Sequence, residues 1–182
     1  AQEIAKHLQG LEIDYFAVAY VKEGIALREA GITKPILVLH CQPINFPLII
    51  EHCLEPSLYS ERILKEFITI AEQKQQTDYP VHIKFNTGLN RLGFAVETVN
   101  LISSYLKQTT SIRVASIFSH LAASEDENEK PFTLKQIEDF KIASTNLKEL
   151  LDYKSEINKG VFISTPVFDG AKESDINNFF EK

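Results

Sequence analysis

Cysteine is scarce in this sequence: Cys41 and Cys53 are the only two, twelve positions apart. They form neither a C-x-x-C redox pair nor a disulfide framework, which excludes a cysteine-stapled secreted scaffold, gives no metal-ligand spacing and fits a reducing compartment. Long apolar runs are lacking as well. No stretch reaches the roughly 18 residues that a membrane helix needs, and the opening residues carry no signal-peptide pattern, so a cytoplasmic protein without a membrane partner is expected. A basic surplus is also missing: 19 Lys and Arg face 25 Asp and Glu, a net charge of -6 that leaves no electrostatic footprint for a nucleic acid. Methionine does not occur at all. The first ten residues read as the interior of an element, and the chain is expected to be a fragment of something longer.

What is present is an ordinary globular composition, 44% apolar and 24% charged, in a length sufficient for one domain with a sizeable core. "EIAKHLQG" and the following Leu11 put Ile4, Leu8 and Leu11 near helical spacing, with Gly10 as a C-terminal stop. "YFAVAY" is an apolar run of strand length, "VKEGIALREAG" an amphipathic helix closed by Gly31, and "PILVL" a second strand. "NFPLIIEHC" precedes a third strand near residues 54–59, and Ser60 is placed to cap the helix "SERILKEFITIAEQKQQ". Strand "VHIKFN", helix "ETVNLISSYLKQ", strand "SIRVASIFSHL" and helix "TLKQIEDFKIASTNLKELLDY" follow, the last with apolar residues at Leu134, Ile137, Phe140, Ile142, Leu147 and Leu150. Five strand candidates alternating with helices predict an α/β fold: a parallel sheet with helices packed outside it, open or closed into a barrel. The acidic run "ASEDENEKP" reads as a solvated loop.

The stretch "VHIKFNTGLNRLGF" concentrates the chemistry. Period-two alternation puts Val81, Ile83 and Phe85 on one face and His82, Lys84 and Asn86 on the other, so a barrel strand would aim Lys84 inward. An unpaired ammonium there costs several kcal/mol, on the order of what burying any lone charge costs, and desolvation favours the neutral, nucleophilic amine. "TGLNRLGF" leaves the strand at its carboxyl end, where parallel α/β folds place their chemistry, and Arg91 falls on that side. From spacing alone, a lysine that snorkels to solvent and an arginine that caps a carbonyl remain the commoner outcome.

These residues also carry a resemblance. "HIKFNTGLNRLGF" is similar to the signature of bacterial alanine racemases, in which a strand lysine is followed by an acidic or amide residue, Thr-Gly, a bulky apolar residue and Arg-Leu-Gly. "FAVAYVKEGIALREAGITKPILVL" and "IFSHLAASEDENEKPFTLKQIEDF" resemble the same family in the same order, and the likeness covers roughly residues 1–150. The resemblance implies a pyridoxal 5'-phosphate enzyme with an eight-stranded (β/α)8 TIM-type barrel, of which about five parallel strands are expected here. It also implies a β-rich second domain and a homodimer that interconverts L- and D-alanine for peptidoglycan. Arg91 matches the arginine that hydrogen-bonds the cofactor's phenolic oxygen and lies near the substrate carboxylate. Lys84 matches a lysine that is often carbamylated and holds that arginine in place. His120 matches a histidine beside the cofactor, in a network with a tyrosine and an arginine. His7, His40, His52 and His82 have no comparable context and read as structural.

The family's cofactor-anchoring lysine, in a Val-Lys-x-x-x-Tyr-Gly stretch, and its second base, a tyrosine of the later domain, are not among these residues, so neither catalytic base is expected here. The 182-residue stretch by itself is therefore expected to be inactive. Residues 1–153 form the expected barrel piece and 154–182 a tail of uncertain origin. In it, "GVFISTPVFDGAKESDI" resembles a short stretch of the bacterial RNA polymerase β subunit. Three other readings stand beside an alanine racemase. One is a broad-specificity amino-acid racemase or the racemase half of a fusion with a peptidoglycan ligase. Another is a non-catalytic cofactor-binding barrel, which need not carry Lys84 and Arg91. The last is a piece of transcription machinery, which only the tail favours.

Overall fold

The computed structural model describes residues 2–11 and 13–151 in full and the backbone of 158–163. Helix α1 (Gln2–Gln9) leads into β1 (Phe16–Val18), α2 (Val21–Glu29), β2 (Ile36–Val38), α3 (Phe46–Glu51), β3 (Glu55–Leu58), α4 (Glu61–Gln73) and β4 (Tyr79–Asn86). The two-residue β5 (Phe94–Ala95), α5 (Val99–Leu106), β6 (Ile112–His120), α6 (Lys130–Leu151) and β7 (Asn158–Ile163) complete the order. The strands lie side by side as β1-β2-β3-β4-β6-β7, all pairings parallel, with β5 added to the end of β4. Spatial order follows chain order without reversal. A doubly wound sheet has a switch point where the order turns back, whereas barrel staves are laid down in sequence, so this is part of an α/β barrel.

Local sequence explains the elements. Glu23 accepts the Tyr20 backbone N–H at 2.9 Å and so fixes the start of α2, and Gly31 (φ +89°) supplies the left-handed turn that ends it. The Ser60 hydroxyl accepts the Ile63 N–H at 3.4 Å and caps α4. Arg28 braces the loops at the amino end of the sheet by donating to the carbonyls of Ile32, Lys34, His52 and Cys53 at 2.7–3.1 Å.

The two sheet faces differ as the alternation predicts. Leu54, Leu58, Val81, Ile83, Phe85 and Ile117 pack with Leu27, Phe67, Ile102 and Phe140 of the helices in one buried core. Glu55, Ser57, His82 and Lys84 occupy the other face and are buried as well. An extra residue in β6, between Val114 opposite Val81 and Ser116 opposite His82, turns Ser116, Phe118 and His120 to that inner face.

Burial in the helices does not simply follow the apolar residues. In α6, Leu134 and Ile142 are exposed, and the buried stripe is Gln136, Phe140, Ala143, Ser144, Leu147 and Leu151. The polar Gln136 belongs to the stripe because both ends of its amide are used: it accepts the Ala122 N–H at 3.0 Å and donates to the His120 carbonyl at 3.4 Å. Ile4 of α1 and Leu11 just beyond it are likewise exposed, and only Ala5 of that helix is buried. Within the tail expected from residue 154 on, the backbone of Asn158–Ile163 pairs in parallel with β6 from Ser116 to His120. Val167 and the Pro-Val-Phe-Asp-Gly-Ala segment lie outside the described residues.

Candidate active site at the carboxyl end of the sheet

Lys84 points inward from β4 and is 4% exposed, its Nζ 5.8 Å from the centre of the Phe118 ring. Burial first, then the Arg91 charge, pushes its ammonium below the usual lysine range. Among the described residues no carboxylate forms an ion pair with Lys84 or Arg91. A partly desolvated amine beside a guanidinium, with no counter-ion, is the state from which the neutral amine is most easily reached.

Arg91 stands exposed in the loop that leaves β4, and that loop is tightly specified. The Asn86 side-chain oxygen accepts the N–H groups of Gly88 (3.2 Å) and Asn90 (2.9 Å), and its amide donates to Asn90 Oδ1 at 3.1 Å. Thr87 and Ser119 join hydroxyls at 2.7 Å, and Ser119 also donates to the Phe85 carbonyl. At Gly93 (φ +142°) a Cβ would sit 2.4 Å from the Asn86 nitrogen, so only glycine lets the chain double back closely enough to form β5 against β4. The signature's amide and glycine are thus the hardware that carries Arg91 to the rim.

His120, half-buried at the end of β6, lies in the same field: burial, then Lys84, then Arg91 lower it from the usual histidine value. His40 was not expected here. It follows β2, and burial, Lys84 and Arg91 push it down in the same order. The signal that could have found it is positional, since the first polar residue after an inner strand of a parallel sheet stands at the carboxyl end.

His82, one strand layer below Lys84, is structural as read. Its Nε2 is 2.8 Å from Glu55 Oε2 and its Nδ1 2.6 Å from Ser116 Oγ, while Tyr15 donates to the same Glu55 oxygen at 3.1 Å. Because a carboxylate only accepts, Nε2 carries the proton, and in the neutral ring Nδ1 accepts from Ser116. Burial, with the Glu55 charge next, pushes the Tyr15 phenol up to about 12, so it remains a donor. His7 and His52 have no part in either group. Lys84 and Arg91 act together on His120, and on His40 as well.

The fold and this rim define an α/β-barrel domain with a cationic site at its carboxyl end. The alanine racemase N-terminal domain family matches residues 1–159, and the chain belongs to it. It is 31% identical over 170 residues to the alanine racemase of Carboxydothermus hydrogenoformans, covering 91% of this chain and 45% of that protein. It is 36% identical over 143 residues to an amino-acid racemase of Enterococcus faecalis, covering 76% of this chain and 19% of that one. The solved alanine racemase of Clostridium difficile 630 superposes with a TM-score of 0.80 at 30% identity, over 90% of this chain and 44% of that one. The chain thus spans less than half the length of these relatives.

Proposed function

We propose that this chain is the barrel part of an alanine racemase that binds pyridoxal 5'-phosphate, acts as a cytoplasmic homodimer and interconverts L- and D-alanine. The observation that carries the reading is Lys84, buried and within the field of Arg91, with no ion pair to a carboxylate among the described residues. A rim of cationic and imidazole groups without a described carboxylate partner suits a ligand bearing a phosphate and a phenolate oxygen. The cofactor, when bound, supplies the electron sink that acidifies the amino acid's Cα proton. Arg91 would donate to the phenolic oxygen and draw in the substrate carboxylate, and His120 would pack beside the ring and fix its tilt.

Lys84 serves as a positioning group. Its neutral nitrogen attacks CO2, an N–C bond forms, one N–H proton leaves to solvent, and the carbamate carries a single negative charge. That charge replaces the repulsion between two cations by a charge-assisted hydrogen bond to Arg91. The likeness to the Enterococcus faecalis amino-acid racemase supports a second reading, a broader range of substrate side chains.

The test is rescue of a D-alanine-requiring bacterium by the complete protein, with a racemisation assay over a panel of L-amino acids. Growth with turnover on alanine alone is expected, and turnover on several side chains favours the second reading. No rescue and no turnover on any amino acid contradicts both. The 182-residue stretch alone, which contains no Val-Lys-x-x-x-Tyr-Gly segment, should show no turnover.

A further inference from the structure

The most deeply buried polar side chain of α6, Gln136, sits where two parts of the rim meet, the end of β6 and the loop after β4. Its amide orientation follows from its partners, because the Ala122 N–H can only donate and the His120 carbonyl can only accept. Oε1 therefore faces the first at 3.0 Å and Nε2 the second at 3.4 Å. The carboxyl end of β6, with His120 on it, is thereby pinned to α6. The loop that carries Arg91 leans on the same spot. A Cβ built on Gly88 would stand 2.8 Å from Phe132 Cζ and 3.1 Å from Gln136 Nε2, and Gly88 has φ +140°, so glycine lets this loop rest directly on the start of α6. Phe132 and Gln136, one turn apart on one face of the helix, thus hold both neighbours. The Thr87 and Ser119 hydroxyls, 2.7 Å apart, already join the two strand ends once. Gln136 adds a second tie, which reaches them from the helix layer.

We propose that Gln136 is a positioning residue of the rim: through its amide, α6 sets the His120 end of β6 and the Arg91 loop as one unit and fixes their spacing before anything binds. The consequence for catalysis rests on the racemase reading of the rim; the geometry does not. The helix suits this task because Phe140, Leu147 and Leu151 bury its other turns in the core. The task calls for an amide, a neutral planar group with a donor and an acceptor. Methionine fills similar space and makes neither bond. A glutamic acid makes both while protonated, and once ionised it keeps the acceptor, loses the donor and sets a negative charge against the His120 carbonyl. Burial should hold such a carboxyl protonated above its usual value of about 4.3, which brings the change into an accessible pH range.

The experiment compares wild type, Gln136→Met and Gln136→Glu in the 182-residue chain by NMR across pH. The Ala122 amide and the His120 ring report on the β6 end, the Gly88 and Asn90 amides on the Arg91 loop, and the His82 ring serves as a control on the floor. In the methionine variant both rim groups should differ from wild type at every pH while His82 stays in place. In the glutamate variant both should lie close to wild type at acid pH and move away together, with one midpoint, as the carboxyl ionises. In the complete protein the methionine variant should lose about tenfold in kcat/KM for alanine, the scale of about one hydrogen bond, and the glutamate variant should lose it along the same pH course. Rim signals that stay put in the methionine variant, a His82 signal that moves with them, or a glutamate variant that differs from wild type equally at all pH values overturns the inference. A response confined to the β6 end overturns the link to the Arg91 loop. Wild type without turnover on any amino acid sinks the racemase reading instead, and the NMR, which needs no ligand, still decides the positioning role. Should the methionine variant fail to fold, the glutamate titration decides alone.

Discussion

The floor and the rim of the inner sheet face handle charge in opposite ways, although strand β4 serves both and only two positions separate His82 from Lys84. At the floor, Tyr15, Glu55, His82 and Ser116 form a continuous chain of hydrogen bonds at 2.6–3.1 Å, with acid, base and hydroxyl each given a partner. At the rim, Lys84, Arg91, His40 and His120 bring only positive or protonatable groups together, and burial and mutual repulsion hold three of them below their usual pKa ranges. Self-satisfied polar groups make structure. Groups left electrostatically incomplete within the fold stand ready for something from outside it, and the rim's sign specifies an anion.

Breaking the floor should have the largest effect on stability. Glu55→Leu leaves a buried histidine and an exposed phenol without their acceptor and should cost about 3 kcal/mol in chemical denaturation, in line with other broken buried pairs. The double variant Glu55→Leu/His82→Leu should recover part of that loss. A single substitution costing under about 1 kcal/mol would mean that the floor is not mutually supporting.

The loop that presents Arg91 is next. Gly93→Ala combines φ +142° with a Cβ 2.4 Å from a backbone nitrogen, and should cost about 2 kcal/mol while displacing Arg91. Loss of phosphate-ligand binding with only a small fall in stability would place the loop's importance in the rim alone.

Lys84→Met inverts the floor experiment. Removing a buried ammonium that has no carboxylate ion pair among the described residues should leave stability unchanged or raise it by about 1 kcal/mol, while abolishing the anion site. Marked destabilisation would show that Lys84 is paired in solution even without cofactor.

How much of this was legible beforehand follows from range in sequence. All five expected strands formed, because period-two alternation and strand-length apolar runs are local signals. Lys84, Arg91 and His120 were singled out because a compact signature carries the first two and a strand end carries the third. His40 was not, since its significance depends on β2 lying two strands from β4, a relation that no spacing encodes. The Glu55–His82–Ser116 chain was hidden for the same reason, compounded by the extra residue in β6 that turns Ser116 inward. In α6 the buried stripe is not readable from apolar residues alone, because Gln136 is buried for its hydrogen bonds to His120 and Ala122 at the end of β6.

The smallest effect expected is in pH dependence. His40 and His120 have folded values pushed below the unfolded one, so the folded chain resists the protons that the unfolded chain accepts. Their contribution is intact above about 6.5, the unfolded value, and is lost as pH falls through the lowered folded values. Lys84 works at the other end: its penalty is full below its lowered folded value and is relieved as pH rises from there to about 10.5, the unfolded value. Both histidines are only partly buried, so replacing them with asparagine should flatten the acid-side slope by less than about 1 kcal/mol. An unchanged slope would show that neither histidine contributes to it.

Lys84 itself tests the central claim, that the rim is completed by an anion, most directly. Carbon-13 NMR of the chain in labelled bicarbonate should show a carbamate resonance that is absent in Lys84→Met, weakened in Arg91→Ala and lost as the solution is acidified. A spectrum without that resonance, in which Lys84 titrates as a free amine indifferent to Arg91→Ala, would contradict the account.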